Sequence, residues 1–416
     1  MRKAFSKITD KLDSKSGSRI DAPPQALFGN SSRSGPPPIN HASKPDRKVV
    51  YPQPGQRQPG PAPPLKVAST QHHGKMKFFH PAGHEHIVSR DVGNSGVLDG
   101  KIVWGWGDTL MGAGGRGSKA NICATDSTSI GHLSDPMCAT DTALWDNNEY
   151  VANFIPCLPH EEKDGGLVKY AFGGSNVIEY APNQGLLFFL KIHRPHGKNI
   201  IKGAGVAPVT MHGNIPKCKR EMETLWTKEE ACYGDVGIAY DTRDGYVYAF
   251  GKGPQQDDEQ LIRRTYLCRV FINCVFDISA YSYWHQDKKV WSPQRLTTHG
   301  QGGTAKLTYE QAIFPYLAMD RSAPFWSNYF NKWMFLYGNS WGYSDVYVMT
   351  ADKLEGPWDK HGDIKICSTQ PEGGEPVAGE FRYAVNGHPE WDESGKSVFV
   401  TWTKLNEIYG TTVVWE

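Results

Sequence analysis

The sequence predicts an all-β protein, a five-bladed β-propeller preceded by a disordered, Pro-rich basic tail. Three observations carry that expectation: an aromatic- and turn-rich composition, a hairpin unit that recurs five times, and a sharp change of composition near residue 75. The 416 residues include 44 Gly, 28 Pro, 13 Trp, 19 Tyr and 17 Phe. Aromatic side chains fit a pleated sheet surface, and Gly and Pro reverse the chain. Strands joined by tight turns are therefore favoured over a helical bundle. The length allows one large domain or two to three ordinary ones.

The recurring unit is a short apolar run, a polar turn, then an aromatic-rich strand. It occurs at Ser95–Thr109, Ser175–His193, Val236–Gly253, Pro315–Ser340 and Gly387–Asn406. The reversals fall at Asp99-Gly100, Asn183-Gln184-Gly185, Asp244-Gly245, Asn331-Lys332 and Ser394-Gly395, residue types that accept the backbone angles of a hairpin turn. The units start further apart than a minimal four-stranded blade of about 40–50 residues requires, which leaves room for loops and extra strands such as Ser344–Ala351. Five such hairpins suggest five sheets set radially. A large β-sandwich would explain the strands but not the count. The last residues, Thr411–Glu416, end as a strand suited to closing the ring with a segment near Met76–Val88.

Residues 1–70 hold 12 Lys/Arg against 4 Asp/Glu, and 12 of the Pro residues. Such a segment cannot bury enough apolar surface to offset chain entropy. The domain division is therefore 1–75, a Pro/Gly/Ser-rich tail, and 76–416, the propeller. A short helix at Met1–Ser14 would gather Phe5, Ile8 and Leu12 on one face among lysines. That is a weak anchor for a partner or membrane surface, and a solvated tail is the plainer reading.

Some function classes are excluded. A net charge of +1 does not make a polycation for nucleic acid. No apolar run of about 18 residues exists to form a transmembrane segment. The N-terminus lacks the apolar core of a conventional signal peptide, so a cytoplasmic location is expected, with unconventional secretion as the alternative. The eight cysteines form no zinc-type CxxC pairs and read as mostly free, buried thiols. No cofactor and no resident metal are expected. His80, His84 and His86 could join Asp91 around a metal, although histidines in such a segment are more often solvated. Gly112–Gly117 lacks the Lys-Ser/Thr of a phosphate loop and reads as a loop at the funnel mouth.

A propeller gathers the ends of its inner strands around one axis, so acids and histidines near the repeat starts are the candidates for chemistry. They are Asp91, Asp108, Asp235, Glu380, Arg382, Asn386 and His388, with Asn176 in the second unit. Asp91 and Asp108 are the sharpest pair, because they flank one hairpin and can reach the same end of the first blade. Two neighbouring carboxyls do not ionise independently. One holds its proton as an acid while the other stays charged as base or nucleophile, the division of labour that glycosidic cleavage needs. The plainer alternative is that Asp108 caps a turn and Asp91 binds backbone amides near Gly93. Trp104, Trp106, Trp326 and Trp341 could offer platforms for sugar rings, or could fill space between blades.

Asp91-Val92-Gly93, Gly96 and Gly107-Asp108-Thr109 resemble the opening signature of five-bladed propeller glycoside hydrolases. The nearest group is glycoside hydrolase family 183, a domain family formerly of unknown function, some members of which cleave D-arabinan. Tyr337-Gly338-Asn339-Ser340, Thr350-Ala351, Glu355-Gly356-Pro357-Trp358 and His388-Pro389 are similar to later parts of that pattern. The resemblance covers roughly residues 85–416. It implies that Asp91 and Asp108 are the catalytic pair. Family-43-like propellers, a more distant likeness, place an Asp in the second blade and a general-acid Glu in the third. Here Asn176 and Asp235 stand near those places, a departure from that pattern. The expected function is a glycoside hydrolase-like propeller acting on a carbohydrate or other small polar substrate, with Asp235, Asn176, Glu380, Arg382, Asn386, His388, Trp106 and Trp341 binding it. A non-catalytic carbohydrate- or protein-binding propeller, or an intracellular enzyme of specialised metabolism reusing the funnel, are the alternatives.

Overall fold

The computed structural model describes residues 48–55, 62–111, 122–144, 150–195, 198–255, 259–314, 321–338, 345–359, 364–371, 373 and 380–416. Met1–Ser14, Gly112–Gly117 and Trp341 lie outside the described residues.

Five antiparallel sheets follow one another along the chain, and each begins with one of the hairpins read from the sequence. Blade one pairs Val88–Leu98 with Lys101–Met111, then adds Ser127–His132 and Asp135–Asp141. Blade two is built on Gln184–His193, with the interrupted inner strand Tyr170–Gly174 and Ile178–Ala181 on one side and Ile200–His212 on the other. Blade three runs Cys232–Asp241, Tyr246–Lys252, Thr265–Phe271, Ser282–His285 and Val290–Ser292. Blade four runs Phe325–Ser327, Lys332–Gly338, Asp345–Ala351 and Lys365–Ser368. Blade five runs Arg382–His388, Ser397–Lys404 and Glu407–Trp415. The turns behave as their residue types require. Asp99 and Gly100 adopt φ of 50° and 71°, and Asn183 and Asn331 adopt 54° and 53°, left-handed angles that Asn, Asp and Gly tolerate best.

The second strand of each blade is apolar at consecutive positions, because both faces of the sheet are covered. In Gln184–His193, Leu187 and Phe189 pack with Leu98 and Val103 of blade one, while Leu186 and Phe188 pack with Ile238 and Val247 of blade three. In blade three, Tyr248 and Phe250 turn to Trp333 and Phe335 of blade four. Met334 and Leu336 of blade four meet Val398 and Val400 of blade five. Phe399 and Ile408 of blade five meet Ile102, Trp104 and Trp106 of blade one. The core is thus a ring of five inter-blade layers.

The closure differs from the sequence expectation. The final strand Glu407–Trp415 pairs with Val67–Lys75 rather than with Met76–Val88. The next residues, Lys77–Phe79, then pair in parallel with Asp135–Asp141 of blade one. One segment therefore staples the last blade to the first, and the propeller begins at Val67, inside the stretch assigned to the tail. Its low apolar content hid the strand, because an outer edge strand needs only backbone partners on one side. Further upstream, Val49 N–H donates to Gly100 O at 2.9 Å and Pro54 O accepts from Thr242 Oγ1 at 3.3 Å. Residues 48–55 thus cross from blade one to blade three at the turn ends of their first hairpins. A cavity of about 240 Å³ lies beneath them, lined in part by Tyr51, Val97, Val177, Ile238 and Trp333. All eight cysteines are free thiols.

A polar chain is sealed inside the seam between blades one and five. Thr401 Oγ1 lies 2.7 Å from His388 Nε2, and His388 Nδ1 lies 2.6 Å from Ser95 Oγ. Ser95 Oγ donates to Glu390 Oε1 at 2.6 Å. Burial pulls His388 down to about 3 and pushes Glu390 up to about 7. The folded protein therefore keeps a proton on Glu390 that the unfolded chain releases above its ordinary pKa of 4.5. Stability conferred by this group is full below about pH 4.5 and is lost as pH rises to 7, by about 3 kcal/mol in all. Asp126, also raised to about 7 by burial, adds a parallel slope. Urea unfolding at pH 5 and pH 8 is expected to show a smaller loss of stability with rising pH in Glu390→Gln than in wild type. An identical pH slope would refute the assignment.

Candidate functional site at the propeller mouth

The first blade opens with a backbone irregularity that sets the candidate site. Arg90 pairs with Thr109 and Val92 with Trp106, so Asp91 alone faces Gly107 and Asp108. This is a β-bulge, which re-aims side chains at a sheet end. Val92 has φ of 71°, a costly angle for a β-branched residue, and its N–H donates to Thr403 Oγ1 of blade five at 3.0 Å. Tyr383 Oη, also from blade five, donates to Asp91 Oδ2 at 2.9 Å. On the other side, a Cβ added to Gly107 would lie 2.2 Å from Asp91 Oδ1. Glycine is thus required for the carboxylate to sit where it does.

Asp108 leaves the same bulge and stands 3.5 Å from Arg194 Nη2, which follows the second strand of blade two. Asp91 and Asp108 are 8 % and 9 % exposed, both largely shielded. Asp126 is a third carboxylate at this end. Its neighbours Ala124 and Ser127 pair with Thr109 and Trp106, which sets it across from Gly107 and Asp108. Its carboxylate accepts from the N–H groups of Phe154 and Ile155 at 3.1 and 2.6 Å and from Asn153 Nδ2 at 2.6 Å. These bonds use it as a clasp for the loop into blade two.

The same end of blades three to five supplies charged partners. Asp235 sits in a bulge between Tyr233 and Gly237, 2.9 Å from Arg321 Nη2 and 3.7 Å from Lys252 Nζ. Arg321 Nη1 also donates to Gly174 O of blade two at 3.2 Å, and Asn94 of blade one donates to that carbonyl at 3.3 Å. In blade five, Glu380 Oε2 lies 2.9 Å from Lys404 Nζ and 3.3 Å from Arg382 Nη2. Asp91, Asp108, Asp235, Glu380 and Arg382 thus stand at corresponding strand ends of their blades. Sequence reading missed Tyr383, Arg194, Arg321 and Asp126, and took Gly107 only as part of a signature. The loop partners of Asp126 are 27 to 29 residues away in the chain and that of Tyr383 is 292 away, and no local pattern marks such contacts.

Other candidates are placed elsewhere. Asn176 is spent between blades. Its Oδ1 accepts from Ile238 N–H at 3.0 Å and its Nδ2 donates to Ile238 O at 2.9 Å. Asn386 is buried, with Nδ2 donating to Ala384 O. His388 belongs to the sealed chain with Ser95 and Thr401. Trp106 is 2 % exposed, stacks on Trp104 at 4.8 Å and donates to Ser129 Oγ. It fills the seam between blades five and one and offers no platform. His86 pairs with Asp141 at 2.7 Å, and His80 stacks on His84 at 4.5 Å. Among the described residues the only convergent ligand set is His160, Glu161 and Glu223. Lys191 Nζ already lies 2.5 and 2.7 Å from its two glutamates.

No protein-family profile matches the chain, and no curated protein matches it. Solved structures do. A protein described as a hydrolase from Bacteroides ovatus superposes with a TM-score of 0.54 at 13 % identity, over 79 % of this chain and 86 % of that one. A family-43 β-1,3-galactosidase gives 0.42 at 12 % identity, over 83 % and 93 %. A family-43 enzyme from Xanthomonas citri gives 0.43 at 9 % identity, over 78 % and 87 %. The chain is a five-bladed β-propeller, and its structural neighbours include glycoside hydrolases.

Two outcomes are expected here. Gly107→Ala pushes the Asp91 carboxylate off its seat, so any activity of this site falls by at least about tenfold while the fold persists, a combination checked by kinetics and circular dichroism. Asn176→Ala strands a buried N–H and C=O of Ile238 and lowers stability by about 2–4 kcal/mol, measurable by urea unfolding.

Proposed function

We propose that the protein is a glycoside hydrolase in which Asp91 and Asp108 form the catalytic pair. The single observation that carries this reading is the bulge that sets Asp91 opposite Gly107 and Asp108 at the mouth end of blade one. One carboxyl donates its proton to the leaving glycosidic oxygen. The other acts on the opposite side of the sugar, either attacking the anomeric carbon or taking a proton from the attacking water. Tyr383 fixes the orientation of Asp91, and Arg194 stands beside Asp108. Asp235 and Glu380, with their cations, line the mouth where the substrate's hydroxyls would bind. The resemblance at Asp91-Val92-Gly93 and Gly107-Asp108-Thr109 to family 183 makes arabinan-type furanosides the first substrates to try.

Asp91→Asn and Asp108→Asn are each expected to lower kcat by roughly a thousandfold or more while sugar binding persists. The assay is a panel of furanosides and pyranosides, with binding followed separately. Equal inactivity of wild type and both variants, with binding intact, would identify a carbohydrate-binding propeller instead.

A further inference from the structure

Blade five carries a second feature at the same mouth. Its first two strands pair Tyr383 with Thr403, and the next rung outward pairs Arg382 with Lys404. The inner rung is the one that holds the Asp91 bulge, through Tyr383 Oη and Thr403 Oγ1. Arg382 and Lys404 therefore lie one residue step along the strands from the groups that seat Asp91, with their side chains on the opposite face of the sheet. Both cations lean on the same oxygen, Glu380 Oε2, so two positive charges share one negative charge. The Lys404 and Glu380 side chains remain 20 % and 23 % exposed, open to exchange with a ligand. Arg382 is different. It is 3 % exposed, and its Nε and Nη1 meet no acceptor among the described residues. A buried guanidinium with idle donors is costly unless an anion completes its fork. The two-on-one arrangement recurs across the mouth, where Arg321 and Lys252 share Asp235.

We infer that Arg382 and Lys404 form a subsite for an anionic group carried by the substrate, a carboxylate, sulfate or phosphate. Glu380 holds the two cations in place and competes with that group for them. The inference rests on the glycoside reading of the mouth, and it selects acidic sugars within it.

The test is binding to the full-length protein, followed by calorimetry or ligand-observed NMR. The probes are sodium D-glucuronate, inorganic sulfate and inorganic phosphate, with D-glucose as the uncharged control. At low salt at least one anion is expected to bind roughly tenfold more tightly than glucose, and the advantage should shrink at about 0.3 M NaCl. Glucuronate alone would point to a uronic acid, and sulfate or phosphate to a sugar ester. Lys404→Met should weaken the anion about tenfold. Glu380→Gln should strengthen it about threefold, because the competing acid is gone. These opposite shifts separate a direct contact from general damage. Failure of every anion to bind better than glucose, or an anion preference unmoved in both variants, overturns the proposal. Hydrolysis of neutral glycosides without charge preference would retain the catalytic pair and discard this subsite. Anion binding without any hydrolysis would do the reverse.

Discussion

Each blade is buried on both faces by its neighbours, and the rest of the structure depends on that constraint. A sheet covered on one side alternates apolar and polar residues, whereas one covered on both sides must be apolar throughout. Leu186 to Leu190 are all buried, and alternate members reach different blades. Five such layers make sense only in a closed ring, because an open end would leave one apolar face in water. The staple at Val67–Phe79 is the device that closes it. It joins the last strand to the edge of the first blade through backbone hydrogen bonds.

The ring also explains where polar chemistry collects. Inner strands converge on the axis, and their ends are the places where bulges form without breaking a core layer. Irregular pairings at Asp91 and Asp235 lie at one end of the molecule, and each re-aims a carboxylate. Blade five contributes the matching irregularity between Tyr383 and Asn386, where Ala384 takes a φ of 53°. The cations beside Asp108 and Asp235 come from other blades or from the second strand of the same blade. The mouth is therefore an assembly of contacts across the ring, rigid because the layers beneath it are packed.

Buried polar groups follow a second logic. Arg90 and Asp141, both fully buried, lie 2.6 Å apart, with Ser129 and His86 completing the carboxylate's bonds. Arg220 forks onto Glu161 inside blade two, and these contacts hold Glu161 down to about 2. Such pairs are costly to break and specify a unique packing more than they add net stability. They account for several histidines and acids that could pass for site residues on type alone.

The five hairpins, their turns and the apolar second strands were legible in the sequence, because each is set by local spacing and by residue types with narrow backbone preferences. That Asp91 and Asp108 fall at the same end of blade one was legible for the same reason, since one hairpin returns the chain to its starting end. The roles of Asn176, His388 and Trp106 were not. Whether an amide, an imidazole or an indole faces the mouth or the seam depends on which neighbouring blade covers it. The closing strand escaped notice because edge pairing runs through the backbone and leaves little mark on side-chain pattern. The partners Tyr383, Arg194 and Arg321 were fixed only when the ring brought distant segments to one rim.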